Sequence, residues 1–275
     1  MMQTFRQQGT RTSLDEAAQD TARHDAQHTV LPTSTELFYF YGQVLEQCAR
    51  LSNREPFRDL CHVYQKHLRG YAEDVLRPAL QQCEPARRSV DVRSSHADMQ
   101  RDCLIVNTAD YCATTSKQLE DKLKEKMDEA FHEHVNFDAE RDLFLGLVSA
   151  GIAHLTRELE VSMDAPSHQM LRAPWSMEEA AESRSAYVDE FASALEHVAV
   201  VVRQDLQSKR YVRSWCDKVV GVVLARYLYT IVKLKPMSRQ AARQMLVDVA
   251  EIRACLLELP RYALSEEGST SAAAS

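Results

Sequence analysis

Cysteine and histidine offer the most versatile side-chain chemistry in this sequence. The seven cysteines are Cys48, Cys61, Cys83, Cys103, Cys112, Cys216 and Cys255. A thiolate can attack an electrophile or ligate a soft metal, but no two of these thiols have the C-x-x-C spacing of a zinc or redox site. Their odd number and irregular spacing suit reduced thiols serving as small hydrophobes. His24 and His28 stand four apart, the spacing of two ligands on one helical face. The residues between them are "DAQ", unlike H-E-x-x-H, and the host segment is polar and aperiodic. In "FHEHVNF", His132 and His134 are two apart and would project from different sides of a helix. Cys112 lies in "TADYCATTSKQLEDKLKEKMDEAF", and a nucleophilic thiol needs a base and a positive surrounding that this stretch does not supply. Any unrecognised enzymatic site would draw on Cys112, His132 and His134. The sequence predicts no catalytic residue, no metal site and no cofactor.

Phosphate-cradling loops of the G-x-G-x-x-G and G-x-x-x-x-G-K-[ST] types are missing, as is a G-x-S-x-G elbow. The net charge of −7 opposes general nucleic-acid binding. One basic cluster stands out. "KLKPMSRQ" places Lys233, Lys235 and Arg239 around a turn between helices, with Arg210 and Arg213 at the far end of the preceding helix. Two readings stay open for Lys233, Lys235 and Arg239. They are ordinary solvated helix ends, or they contact an acidic partner or an anionic membrane surface.

The elements that would hold these residues are helices. Seven glycines and eight prolines in 275 residues are too few for the turns of a β-rich fold. Apolar positions recur at three- and four-residue steps along most of the chain. The first helix is predicted from a cap at Thr33, Ser34 or Thr35, burying Leu37, Phe38, Tyr41, Leu45, Cys48 and Leu51, with Phe40 and Val44 widening the face. A second helix follows Pro56, forms an antiparallel hairpin with the first, and ends or kinks at Pro78. A polar connection fills positions 79 to about 97. A stripe of Leu104, Thr108, Tyr111, Thr115, Leu119, Leu123, Met127 and Phe131 marks the third helix, whose Glu120–Lys124 and Lys122–Glu125 pairs make a soluble outer face. A fourth helix, 139–162, carries small residues, Gly146 and Ala150, that allow close approach.

Three further helices are predicted. The first, 185–206, buries Val188, Phe191, Leu195, Val198 and Val202; the second, 210–234, includes Trp215, Val219, Val223, Tyr227 and Ile231; the last is capped by Ser238, lined on one side by Ala242, Met245, Val249, Ile252, Leu256 and Leu259, and stopped by Pro260. The apolar run "VVGVVLARYLYTIV" is too short to span a bilayer, is interrupted by Arg226, and predicts a buried core helix. Trp175, in a stretch containing two prolines, is expected to plug the space between two bundles. The whole is an all-α chain: an elongated rod of two consecutive antiparallel bundles. A disordered leader occupies 1–33, the first bundle 34–165, a linker 166–184, the second bundle 185–260 and a disordered tail 261–275.

Three segments carry a family resemblance. "LFYFYGQVLEQCARLS" with "FRDLCHVYQKHLRGYAEDVLRP", then "TADYCATTSKQLEDKLKEKMD", then "YVRSWCDKVVGVVLARYLYTIVKLKPMSRQAARQMLVDVAEIRACLLELP" resemble, in order, the vacuolar protein sorting-associated protein fifty-three family. The similarity covers 34–260. It implies a non-enzymatic subunit of two helical-rod tethers, the Golgi-associated retrograde protein complex and the endosome-associated recycling complex. These capture vesicles at the trans-Golgi network and at endosomes and promote SNARE-mediated fusion. Implied partners are the other tether subunits, with SNAREs and small GTPases for the full-length protein. Implied localisation is peripheral, on the cytosolic face of the trans-Golgi network and endosomes, without nucleic acid. Family members have a long N-terminal region of coiled-coil character and continue past the match to "LLELP". The resemblance therefore implies a C-terminal-half fragment or a truncated gene model. Outside the resemblance, the same helices suit a generic cytosolic scaffold or adaptor unconnected with vesicle traffic.

Overall fold

Pro32 sets the start of the first helix, because its ring fixes a helical φ and its missing N–H falls where no intrahelical acceptor exists. α1 runs Pro32–Ala49. The computed structural model describes residues 29–82, 95–176 and 183–262, so His24, His28 and Cys83 lie outside the described residues, as do positions 1–28 of the expected leader and 263–275 of the expected tail. Thr33, Ser34 and Thr35 do not cap α1 but lie within its first turn, where the Ser34 hydroxyl donates to the Leu31 carbonyl at 2.7 Å. Phe38, Tyr41 and Leu45 are buried as the spacing predicts, while Phe40 and Leu51 are exposed rather than part of the apolar face.

α2, Glu55–Gly70, folds back on α1. Tyr64 stacks on Tyr41 with ring centroids 4.2 Å apart, and its hydroxyl donates to the Tyr41 carbonyl at 2.7 Å. Pro78 does not end this helix. A π-helical segment, Tyr71–Leu76, follows α2 directly and passes into α3, Arg77–Gln82. Pro78 offers no N–H to the carbonyl four residues earlier and its ring crowds that carbonyl. A wider turn just before it relieves both problems. Positions 79–82, expected in a polar connection, are therefore helical, and Ala79 and Leu80 are buried. Positions 83–94 lie outside the described residues.

α4 runs His96–Lys126 and starts two turns before the expected stripe. Thr108, Leu119, Leu123 and Met127 are buried, and the deepest face adds Ile105, Val106, Ala109 and Cys112. Phe131 belongs to a separate 3₁₀ segment, Glu129–His134, whose first turn is capped by Asp128 accepting from the Ala130 N–H. The Asp128 N–H donates to the Asn53 carbonyl at 2.9 Å, which ties the exit of α4 to the α1–α2 turn. Glu120 is not on the outer face as expected. It is buried, takes hydrogen bonds from Lys124 at 2.5 Å and Lys117 at 3.3 Å, and accepts from the Phe137 N–H just before α5. Burial alone would raise its carboxyl; the two lysines and the Phe137 amide outweigh burial and hold it below its ordinary range.

α5 runs Asp138–Ser162. Its close approach occurs at Gly151, not at Gly146: nothing lies within 4 Å of a Cβ built at Gly146, whereas one built at Gly151 would overlap Val106 Cγ2. Val106 is β-branched and fully buried, so it has little room to yield.

Two compact units divide the described residues, one of 29–82 with 97–152 and the other of 95–96 with 153–176 and 183–262. In the second unit, α6 (Asp164–Arg172), α7 (Ala186–Asp205), α8 (Lys209–Lys233) and α9 (Arg239–Tyr262) form a bundle. α6 falls largely within the stretch expected as a linker, because Pro166 sits in its first turn, where proline is tolerated. Trp175, expected between bundles, is buried in its own unit. Its indole donates to the Met170 carbonyl at 2.7 Å, its ring meets Tyr187 edge-on, and its carbonyl accepts from the Ser238 N–H. α7 buries Val188, Phe191, Leu195, Val198 and Val202 as predicted. Ser238 caps α9 as predicted, accepting from the Ala241 N–H at 3.0 Å, and α9 continues past Pro260. The first half of α9 buries Ala241, Gln244, Met245 and Asp248, whereas Val249, expected inside, is exposed.

Two outcomes test this packing. Gly151→Ala should cost about 1–3 kcal/mol by overpacking. Val106→Ala in the same chain should recover part of that loss in urea unfolding. Glu120→Gln should lower stability at neutral pH. A carboxyl whose folded pKa is depressed contributes above its unfolded pKa and loses that contribution as pH falls through the folded value. The difference in urea midpoint between wild type and Glu120→Gln should therefore close toward acid pH.

Candidate functional site

Cys112 occupies the middle of α4, at 0% exposure, and burial pushes its thiol well above the ordinary range. That disfavours the thiolate that any nucleophilic or ligand role would need. Fourteen residues separate it from Lys126 at the end of α4, about 21 Å of helix at 1.5 Å per residue. His132 lies beyond that end, with Nε2 at 3.1 Å from the Met127 carbonyl. His134 is partly exposed, and its carbonyl accepts from Cys61 Sγ. The structure does not bring Cys112, His132 and His134 together. Among the described residues, no group of three or more histidine, cysteine or carboxylate side chains is arranged to hold a metal ion.

Lys233, Lys235 and Arg239 do lie at one corner. Lys233 is the last residue of α8, Lys235 lies in the turn and Arg239 opens α9; all three are exposed. Lys233 Nζ sits 3.9 Å from the centroid of the Tyr229 ring. Buried Leu234 anchors the turn between them, and Ser238 fixes the start of α9 through its cap and its bond to Trp175. Arg239 places a cation beside a helix N-terminus, against the dipole, so local helix stability does not account for it. Among the described residues, no carboxylate pairs with Lys233, Lys235 or Arg239.

The run expected as a wholly buried helix has two faces. Val219 and Val223 are buried, but Leu224, Leu228, Tyr229 and Val232 are 44%, 60%, 63% and 71% exposed. Arg226 lies on the flank toward the bundle. It pairs with Asp164 and donates to the Glu160 carbonyl at 3.1 Å and to Ser167 Oγ at 3.2 Å. These bonds fix the rotation of α8, and with it the direction in which the exposed row points. The pattern was present in the sequence as a helix apolar on both sides, where an ordinary surface helix is apolar on one. No described helix is long and apolar enough to cross a membrane.

Comparison with known proteins finds relatives of this framework. The chain is 29% identical over 252 residues to Vacuolar protein sorting-associated protein 53 A of Arabidopsis thaliana, covering 90% of this chain and 30% of that protein. It is 26% identical over 256 residues to the Caenorhabditis elegans homolog, covering 87% and 31%. It is 25% identical over 232 residues to the Saccharomyces cerevisiae protein, covering 77% and 28%. Over most of its length the chain is similar to these vacuolar protein sorting-associated protein 53 sequences. It spans less than a third of the length of each of them. No family model matches the chain, and no solved structure matches it significantly.

Thiol accessibility checks the assignment of Cys112 to packing. Alkylation of the native protein near neutral pH should label the half-buried Cys48 and Cys255 and spare the buried Cys61, Cys103, Cys112 and Cys216, as read by peptide mass mapping. Prompt labelling of Cys112 in the native state would return it to consideration as a reactive group.

Proposed function

We propose that this chain is part of a non-enzymatic subunit of a vesicle-tethering complex acting in retrograde endosome-to-trans-Golgi transport and endosomal recycling. The observation that carries this reading is the sequence similarity, spread over most of the chain, to plant, worm and yeast proteins named for vacuolar protein sorting. The helical bundles fit it, because stacked helices make a stiff support for binding surfaces and need no internal chemistry. The role is one of peripheral association on the cytosolic side of the trans-Golgi network and endosomes, alongside other tether subunits, with SNAREs and small GTPases as further partners. Lys233, Lys235 and Arg239 are its candidate contact, since their charges are exposed and held at a fixed corner.

The test is a chimera. Residues 34–260 replace the matching segment of the yeast relative in cells lacking that relative, and retention of a vacuolar hydrolase is measured. Sorting should be restored. Charge reversal at Lys233, Lys235 and Arg239 should reduce the rescue while the chimera remains expressed at the same level. A stable chimera that restores no sorting would favour a scaffold outside vesicle traffic.

A further inference from the structure

The exposed row of α8 has a geometry and a charge frame that together specify what covers it. Gly221, Leu224, Ala225, Leu228, Tyr229 and Val232 face outward over three turns. At 1.5 Å per residue the row from Gly221 to Val232 is about 16 Å long. It consists of two parallel four-residue ridges. Leu224, Leu228 and Val232 form the high one, while Gly221 and Ala225 leave the other low until Tyr229. A high ridge beside a low one is the surface into which a second helix interdigitates.

Basic side chains stand beyond both ends of the row. Arg210, Arg213 and Lys218 are exposed on the preceding turns, with Asp217 as the single acid among them, and Lys233, Lys235 and Arg239 follow. A helix lying on a membrane spreads its cations along both edges of the apolar face, so that all reach the headgroups at one depth. Here they sit at the two ends. Self-association through this face would set cations against cations in either orientation, which opposes a second copy of the chain.

We propose that the outer face of α8 docks one amphipathic helix of a partner protein, whose apolar row of about three turns is flanked at both ends by acidic side chains. The apolar row supplies the buried contact, and the flanking charges set register and exclude basic-ended helices. The inference extends the contact reading of Lys233, Lys235 and Arg239 to a whole helix face. It is measured on the isolated chain, so its failure is distinct from failure of the sorting chimera.

The experiment uses two fluorescent helical peptides sharing one leucine row, one with glutamates and one with lysines beyond its ends. Binding is read by anisotropy against wild type, Leu228→Asp, and the triple charge reversal Lys233→Glu, Lys235→Glu, Arg239→Glu. Because these side chains are exposed, the variants should keep their helical circular dichroism. The acid-ended peptide should bind wild type, more weakly as salt rises, and each variant should lose about tenfold or more in affinity, the scale of an interface hot spot. The charge-reversed chain, acidic at one end of the row and still basic at the Arg210 end, should lose the preference for the acid-ended peptide. Equal binding of both peptides by wild type, or binding of neither, overturns the proposal. Adherence to phosphatidylserine vesicles without peptide binding would reassign the face to a membrane. A dimer abolished by Leu228→Asp would reassign it to a second copy.

Discussion

Asp248 projects from the third turn of α9 and accepts from both the amide and the hydroxyl of Ser185, at 2.9 and 2.7 Å. It thereby satisfies the start of α7 from outside. Gln244, one turn earlier on α9, donates to the Ser183 carbonyl at 2.8 Å and to Asp248. Glu120 does the same for the approach to α5 through the Phe137 amide, while Asp128 caps the 3₁₀ segment locally. Every helix leaves orphan backbone groups at its ends, and a chain short of glycine and proline has few self-contained turns in which to hide them. Here Asp248 and Glu120, borrowed from elsewhere in the chain, and local caps such as Asp128 and Ser238 close those ends. The reversals between the long apolar stripes are fixed in this way.

That arrangement explains which parts of the fold were legible in the sequence. α7 was legible nearly to the residue, because Val188, Phe191, Leu195, Val198 and Val202 repeat at helical steps and the core takes them all. The first half of α9 was read one residue out of phase. Its inner face holds Gln244 and Asp248, polar residues that a count of apolar positions assigns to solvent, leaving Val249 to be placed inside. Glu120 was misplaced for the same reason. α6 was missed because two prolines suggested a linker, although proline in a first turn is compatible with a helix. Gly146 and Gly151 look alike in sequence, and only the position of Val106 decides which one is needed.

The candidate site was half legible. Lys233, Lys235 and Arg239 were visible as a cluster, and the structure keeps them together at one corner. The row beside them was hidden by the very feature that makes it notable. An apolar run ordinarily means a core, and nothing in composition separates Val219 and Val223, which are buried, from Leu228 and Val232, which are not. The rotation of α8 separates them, and the rotation is set by Arg226 reaching Asp164, Glu160 and Ser167. The charge that interrupts the run thus decides which apolar residues face outward. Cys112, the most suggestive residue of the opening chemistry, is a packed thiol in a helix that serves as support.

The π segment at Tyr71–Leu76 bears on how this chain compares with its relatives. From Tyr64 onward the buried positions Leu68, Ala72, Leu76 and Leu80 advance in uniform steps of four. In a straight α-helix each such step overshoots a full turn by about 40°, so the row would wind off its neighbours within three steps. The wider turn absorbs the excess at the cost of an additional residue. A family member whose helix runs straight through this point would reach the same neighbours with a chain one residue shorter. A single-residue gap aligned here would then mark a difference in helix type, with the core it serves left intact.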